Sequence, residues 1–111
     1  MPFTTNGTTR IHWDEMGIGD PLLLIMGHQY SAELWYPVIP ILSQHARVIW
    51  FDNSGTGQTD SRDGISTIEN MALDAFAVLD AAHVATADVY GVSMGGFIAL
   101  EMAVFHPERI R

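Results

Sequence analysis

Hydrophobic positions along this chain alternate between two rhythms. Leu22 to Met26 (LLLIM) and Arg47 to Phe51 (RVIWF) are short, nearly uninterrupted apolar runs, the pattern of strands covered on both faces. Ala87 to Val92 is a third extended run. Between the second and third runs, Ile68, Met71, Ala72, Ala75, Val78, Leu79 and Ala82 recur at helical intervals up to His83, behind Ser66 and Glu69 at capping-box spacing. An amphipathic helix is expected there. Met94 to Phe105 is a second helical stretch, apolar almost all round with Glu101 as its only charge, and His106-Pro107 stops it. Such a helix is expected to be buried on several sides. Nearer the start, Asn6-Gly7 suits a hairpin turn between a short strand and a longer one over Thr8 to Glu15. Ser31 can cap a helical stretch to about Gln44, which Pro37 and Pro40 divide into two short turns.

Strands separated by helices imply an α/β fold: a mostly parallel sheet flanked by helices on both faces, with an N-terminal β-hairpin. No repeat, low-complexity tract or linker divides residues 1–111, so a single domain is expected. A chain of 111 residues buries somewhat over ~60% of its unfolded surface. Charge narrows the partners. The formal net charge is -8, from 13 acidic against 5 basic residues with no basic cluster, which excludes nucleic acid and an anionic membrane surface as expected partners. Zero cysteines remove disulfide and thiolate chemistry and fit a reducing compartment. MPFTTNGTTRIHW lacks the basic start and apolar core of a signal peptide, and no apolar run approaches the ~20 residues that span a bilayer. A cytoplasmic location is expected.

In a sheet of this kind, binding sites form beyond the carboxyl ends of the strands. Three loops lie there: Gly27-His28, Asp52 to Asp60, and Gly91-Val92-Ser93-Met94-Gly95-Gly96. In the last, a serine bracketed by glycines stands between a strand and a helix. Small neighbours permit a strained backbone that points the hydroxyl into open space, and the N–H groups at the helix start face any anion formed there. The plainer reading is a serine that ends a strand and caps a helix. Other patterns carry less. Asp80 with His83, and His12 with Asp14, have spacings open to a metal but no third ligand, so they read as solvated side chains and no metal is expected. Gly55-x-Gly57-x-x-Asp60 lacks the third glycine and the following helix of a dinucleotide loop, and no cofactor is expected.

The three loops together carry a resemblance. LLLIMGHQ, RVIWFDNSGTGQTD and DVYGVSMGG resemble, in order, the first loop, the D-x-R-G-x-G-x-S segment and the nucleophile elbow of the α/β-hydrolases. The likeness runs from about Ile11 onward and corresponds to the N-terminal half of that fold. It implies a serine hydrolase, similar to esterases and lactonases, acting on a small-molecule ester, lactone or other acyl substrate. Ser93 matches the nucleophile, Gly91 and Gly95 the elbow glycines, and the backbone N–H groups of Met94 and His28 the oxyanion hole. His28 as a substitute base is a lesser alternative, and Asp52 reads as a loop staple bonding nearby N–H groups. The sequence departs from the family pattern in three ways. Ser54 replaces the usual Arg, His28 stands where an apolar residue is commoner, and only Glu101, His106 and Glu108 follow Ser93 as candidates for the acid and base. The expectation is a partial domain, inactive alone, that is marginally stable or self-associates through an exposed sheet edge. The alternative is a non-catalytic fragment or binding module that keeps the fold only.

Overall fold

The structure, a computed structural model, describes residues 2–62 and 66–111. Strands β1 (Phe3–Asn6) and β2 (Thr9–Met16) form the N-terminal hairpin with Gly7-Thr8 as its loop. The turn sits one residue beyond Asn6-Gly7. Asn6 still pairs with Thr9, and its side-chain amide donates to Asp74 Oδ1 at 2.8 Å. Strands β3 (Pro21–Ile25), β4 (Arg47–Phe51) and β5 (Asp88–Gly91) complete a five-stranded sheet in the order β1-β2-β4-β3-β5. The β4/β3 and β3/β5 pairs are parallel, and the hairpin adds the antiparallel β1/β2 and β2/β4 ladders, so the sheet is mixed.

The β3–β4 connection is the pair of short turns its prolines demand, a 3-10 turn over Ala32–Trp35 and a helix α1 over Ile39–Leu42. Ser31 Oγ accepts from Glu33 N at 3.3 Å, the expected cap. Helix α2 (Ile68–Ala81) links β4 to β5, and helix α3 (Met94–Phe105) leaves β5. The cap of α2 differs from the expected Ser66. Thr67 accepts from Asn70 N at 3.0 Å, while Ser66 Oγ turns to Ser54 Oγ at 3.4 Å.

Pleating sorts the continuous apolar runs onto two faces. Ile49 and Phe51 of β4 join Leu23 and Ile25 against α2 and α3, whereas Val48, Trp50 and Leu24 lie under Ala32, Trp35 and Ile39. Burying each large side chain contributes about 1.5–3 kcal/mol. Arg47 ties the layers at one end of the sheet: its guanidinium is paired with both Glu15 carboxylate oxygens, at 2.7 and 3.0 Å, and donates to Ala82 O at 2.8 Å. The bond to Glu15 raises the Arg47 pKa, against the smaller opposing effect of burial.

Helix α3 is not enclosed as its composition suggests. Gly95, Ile98 and Met102 are buried on the sheet side, while Phe97, Leu100, Val104 and Phe105 are each more than 60% exposed, at 66%, 62%, 68% and 66%. Ile68, at the start of α2, lies beside these four side chains without covering them. Next to β5, just before its first residue, Ala87 forms a parallel bridge with Ile110, and among the described residues no further strand pairs with the outer edge of β5. No helix among the described residues is long and apolar enough to cross a membrane.

Candidate active site

The parallel β3/β5 register runs from Leu22↔Asp88 to Ile25↔Gly91, so the Gly27-His28 segment and Ser93 leave neighbouring strands at the same end of the sheet. Val92 N–H continues the ladder to Ile25 O at 3.1 Å. Ser93 then takes φ 54 and ψ -118, a conformation that costs a non-glycine residue about 1–3 kcal/mol. Its side chain makes no capping bond to α3, and the residue is exposed. A serine present to cap the helix would spend its hydroxyl on that bond. The flanking glycines serve close approach: a β-carbon on Gly91 would collide with the Gly95 carbonyl, and one on Gly95 with the Ile25 carbonyl.

Among the described residues, two backbone N–H groups beside this turn are left without a backbone acceptor. The Gly95 and Gly96 N–H groups are bonded to Val92 O at 2.9 Å and Ser93 O at 2.8 Å. Those of Met94 and His28 have no backbone acceptor among the described residues. Both residues line one cleft of about 420 Å³, together with Gln29, Asn53, Ser54 and Thr56. Gly27 places the His28 segment beside the serine, since a β-carbon there would lie 3.4 Å from Ser93 Cβ and 3.2 Å from Val92 O. A second cavity, of about 230 Å³, lies between α2 and the far end of α3, where Phe76, Phe105 and His106 line it. It is remote from the strand ends and contains no candidate nucleophile.

Asp52 is the expected staple, and more. Its Oδ1 accepts from Ala32 N at 2.8 Å, and its Oδ2 accepts from Gln58 N and faces His12 Nδ1, both at 3.0 Å. A β-carbon on Gly57 would strike this carboxylate, which accounts for a glycine in the loop. His12 corrects the reading of a solvated side chain. It is 2% exposed, because the antiparallel β2/β4 register that pairs Trp13 with Phe51 sets it beside Asp52. Asp80 and His83 are exposed, with Asp80 paired to Arg109 at 2.9 Å. No group of three metal-ligating side chains occurs among the described residues. Burial, then the negative charges of Asp52, Glu33 and Asp14, raise the Tyr36 phenol pKa, so Tyr36 stays neutral.

A family profile of the alpha/beta hydrolase fold matches residues 20–111. The chain belongs to the alpha/beta hydrolase fold family. Over 111 residues, all of this chain, it is 39% identical to a protein of Azorhizobium caulinodans whose name describes a carbamate hydrolase, RutD, and it spans 42% of that protein. Est816, described as an N-acyl homoserine lactone degrading enzyme, superposes with a TM-score of 0.94 at 32% identity, over 98% of this chain and 42% of that one. The enol-lactonase from Burkholderia xenovorans LB400 does so with a TM-score of 0.94 at 28% identity, over 99% and 44%. The chain thus spans less than half the length of these alpha/beta hydrolases.

Within this partial alpha/beta hydrolase fold, Met94 and His28 line one cleft, Ser93 immediately precedes Met94, and Gly91 and Gly95 allow the close backbone approach at the turn that carries Ser93. The remaining candidates do not join them. His106 and Glu108 face each other at 3.3 Å at the far end of α3, and the His12–Asp52 pair is buried beneath the loops. Ser54, in place of the family's Arg, bonds within its own loop, to Asp60 O at 3.4 Å. Two residues escaped sequence reasoning. Asn53 is 2% exposed and donates to Met26 O at 2.8 Å; Asp74 is 2% exposed on α2 and holds Asn6 and Arg62. An acidic residue inside the apolar stripe was the available signal for Asp74. Nothing local marks Asn53.

Proposed function

We propose that this chain carries the nucleophile and oxyanion hole of a hydrolase acting on small ester, lactone or other acyl substrates. Ser93 Oγ attacks the acyl carbon, forming a C–O bond as the carbonyl π electrons move onto oxygen. The Met94 and His28 N–H groups receive that oxyanion, each donor contributing about 3 kcal/mol. Collapse expels the leaving alkoxide, which takes up the proton given up by the Ser93 hydroxyl, and water then adds to the acyl carbon, releasing the acid and returning a proton to Ser93 Oγ. The observation that carries this reading is the strained, non-capping Ser93 beside two unengaged N–H donors. The relatives named for lactone degradation and carbamate hydrolysis support acyl chemistry of this kind, and a cleft that sets Ile68, Met71 and Met94 beside His28, Asn53 and Thr56 suits a small acyl substrate. On this reading the base and the acid that orients it come from outside these residues, and Ser93 with its two N–H donors retains slow reactivity toward activated reagents such as fluorophosphonates and p-nitrophenyl acetate. No cofactor enters the scheme, and a cytoplasmic location fits the cysteine-free composition.

A second reading rests on a specific observation. Neither histidine–carboxylate pair found among the described residues is at Ser93, and a serine without a base is a weak nucleophile. That favours a non-catalytic binding module. Fluorophosphonate labelling with peptide mapping separates the two. A covalent adduct on Ser93, with p-nitrophenyl acetate turnover lost in Ser93→Ala, is the outcome expected of the hydrolase. An unlabelled serine overturns it in favour of the binding module.

A further inference from the structure

Asp52 and Asn53 are consecutive, and each holds one end of the segment that carries His28. Asn53 Nδ2 donates to Met26 O at 2.8 Å, and Ala32 N–H donates to Asp52 Oδ1 at 2.8 Å. Residues 27–31 run between these anchors, with Gln29 in the left-handed region at φ 67. Asp52 is itself held on its second oxygen by Gln58 N–H and His12 Nδ1, each at 3.0 Å.

Peptide planarity gives the first anchor its consequence. Fixing the Met26 carbonyl fixes the whole Met26–Gly27 peptide plane, leaving only the φ and ψ of Gly27 between that plane and the His28 N–H. Glycine is the residue least able to restrict those two angles itself. Direction must therefore come from planes held on either side. Asn53 has one further oddity: its Oδ1 is buried with no partner. A buried amide with an orphaned oxygen is a poor choice for stability alone, and leucine would fill similar space without it.

We propose that Asn53, together with Asp52, is a positioning residue that aims the His28 N–H at the oxyanion formed on Ser93. The proposal rests on the serine-hydrolase reading above, and exchange kinetics test it separately from that reading. Asn53→Leu removes the donor at similar volume. Asn53→Ser, whose side chain is too short to keep the same bond, replaces it should the leucine variant fail to fold by circular dichroism.

In the full 111-residue chain, hydrogen–deuterium exchange over residues 27–32 is expected to quicken about tenfold in the variant, with β4 and α2 unchanged. The maximal rate of fluorophosphonate labelling at Ser93 is expected to fall about tenfold at unchanged half-saturating reagent, as for a misaimed donor. A residue that merely supports the fold would lower the melting temperature and leave the labelling rate of the folded fraction intact. Unchanged exchange at residues 27–32, or faster exchange with undiminished labelling, overturns the proposal. A parent chain that takes no label overturns the serine-hydrolase reading and the purpose given to the clamp with it. A labelled parent with unchanged exchange overturns the clamp alone.

Discussion

At the scale of single residues, Ser93 on the proposed hydrolase reading sets function against stability. Its φ of 54 suits glycine, and nothing in its own side chain compensates, since the hydroxyl does not cap α3. Ser93→Gly is therefore expected to stabilise the fold by about 1 kcal/mol while abolishing covalent labelling. Denaturant melts of both proteins check the gain, and a destabilised glycine variant would refute the claim of strain. His12 and Asn53 illustrate a different residue-scale problem. Each is buried at 2% exposure through a partner far away in sequence, Asp52 for His12 and the Met26 carbonyl for Asn53. No spacing rule reaches across such separations. His12 beside Asp14 read as solvated because alternation along a strand names the faces but not what covers them.

At the scale of elements, the elbow depends on a backbone crossing. Gly95 sits against the Ile25 carbonyl and Gly91 against Gly95, so α3 starts almost in contact with the ends of β3 and β5. The obstacle to a methyl group is backbone rather than a movable side chain. Gly95→Ala should consequently cost about 3 kcal/mol or more, measured as a lowered denaturant midpoint. A change under about 1 kcal/mol, the range of an ordinary surface substitution, would mean that the crossing is looser than described. The elements themselves were largely legible. Strand β4 and helix α3 have the limits that their apolar runs imply, and the prolines at 37 and 40 divide the β3–β4 connection as expected. The hairpin loop and the α2 cap each moved by one residue. In both cases a side chain, Asn6 or Ser66, had a distant partner that local propensity does not register.

At the scale of the whole molecule, the exposed face of α3 is the feature most at odds with an isolated soluble domain. Phe97, Leu100, Val104 and Phe105 share it, beside the free length of β5. The 111-residue chain is expected to self-associate, with concentration-dependent sedimentation, and Leu100→Glu combined with Val104→Lys should shift it toward monomer. A monomer at every concentration, with a sharp thermal transition, would contradict this. The net charge of -8 opposes association only weakly at physiological salt, where exposed charges are screened beyond about 8 Å.

The sequence by itself determined the order and type of the elements and the three loops brought to one end of the sheet, because hydrophobic period, prolines and glycines act locally. It also singled out the serine between two glycines. Only the tertiary structure decided that this serine is strained and does not cap its helix, that His28 is carried on a segment anchored by Asp52 and Asn53, and which face of α3 is left open. These depend on strand register and on close approach between segments far apart in the chain, and side-chain periodicity carries no record of either.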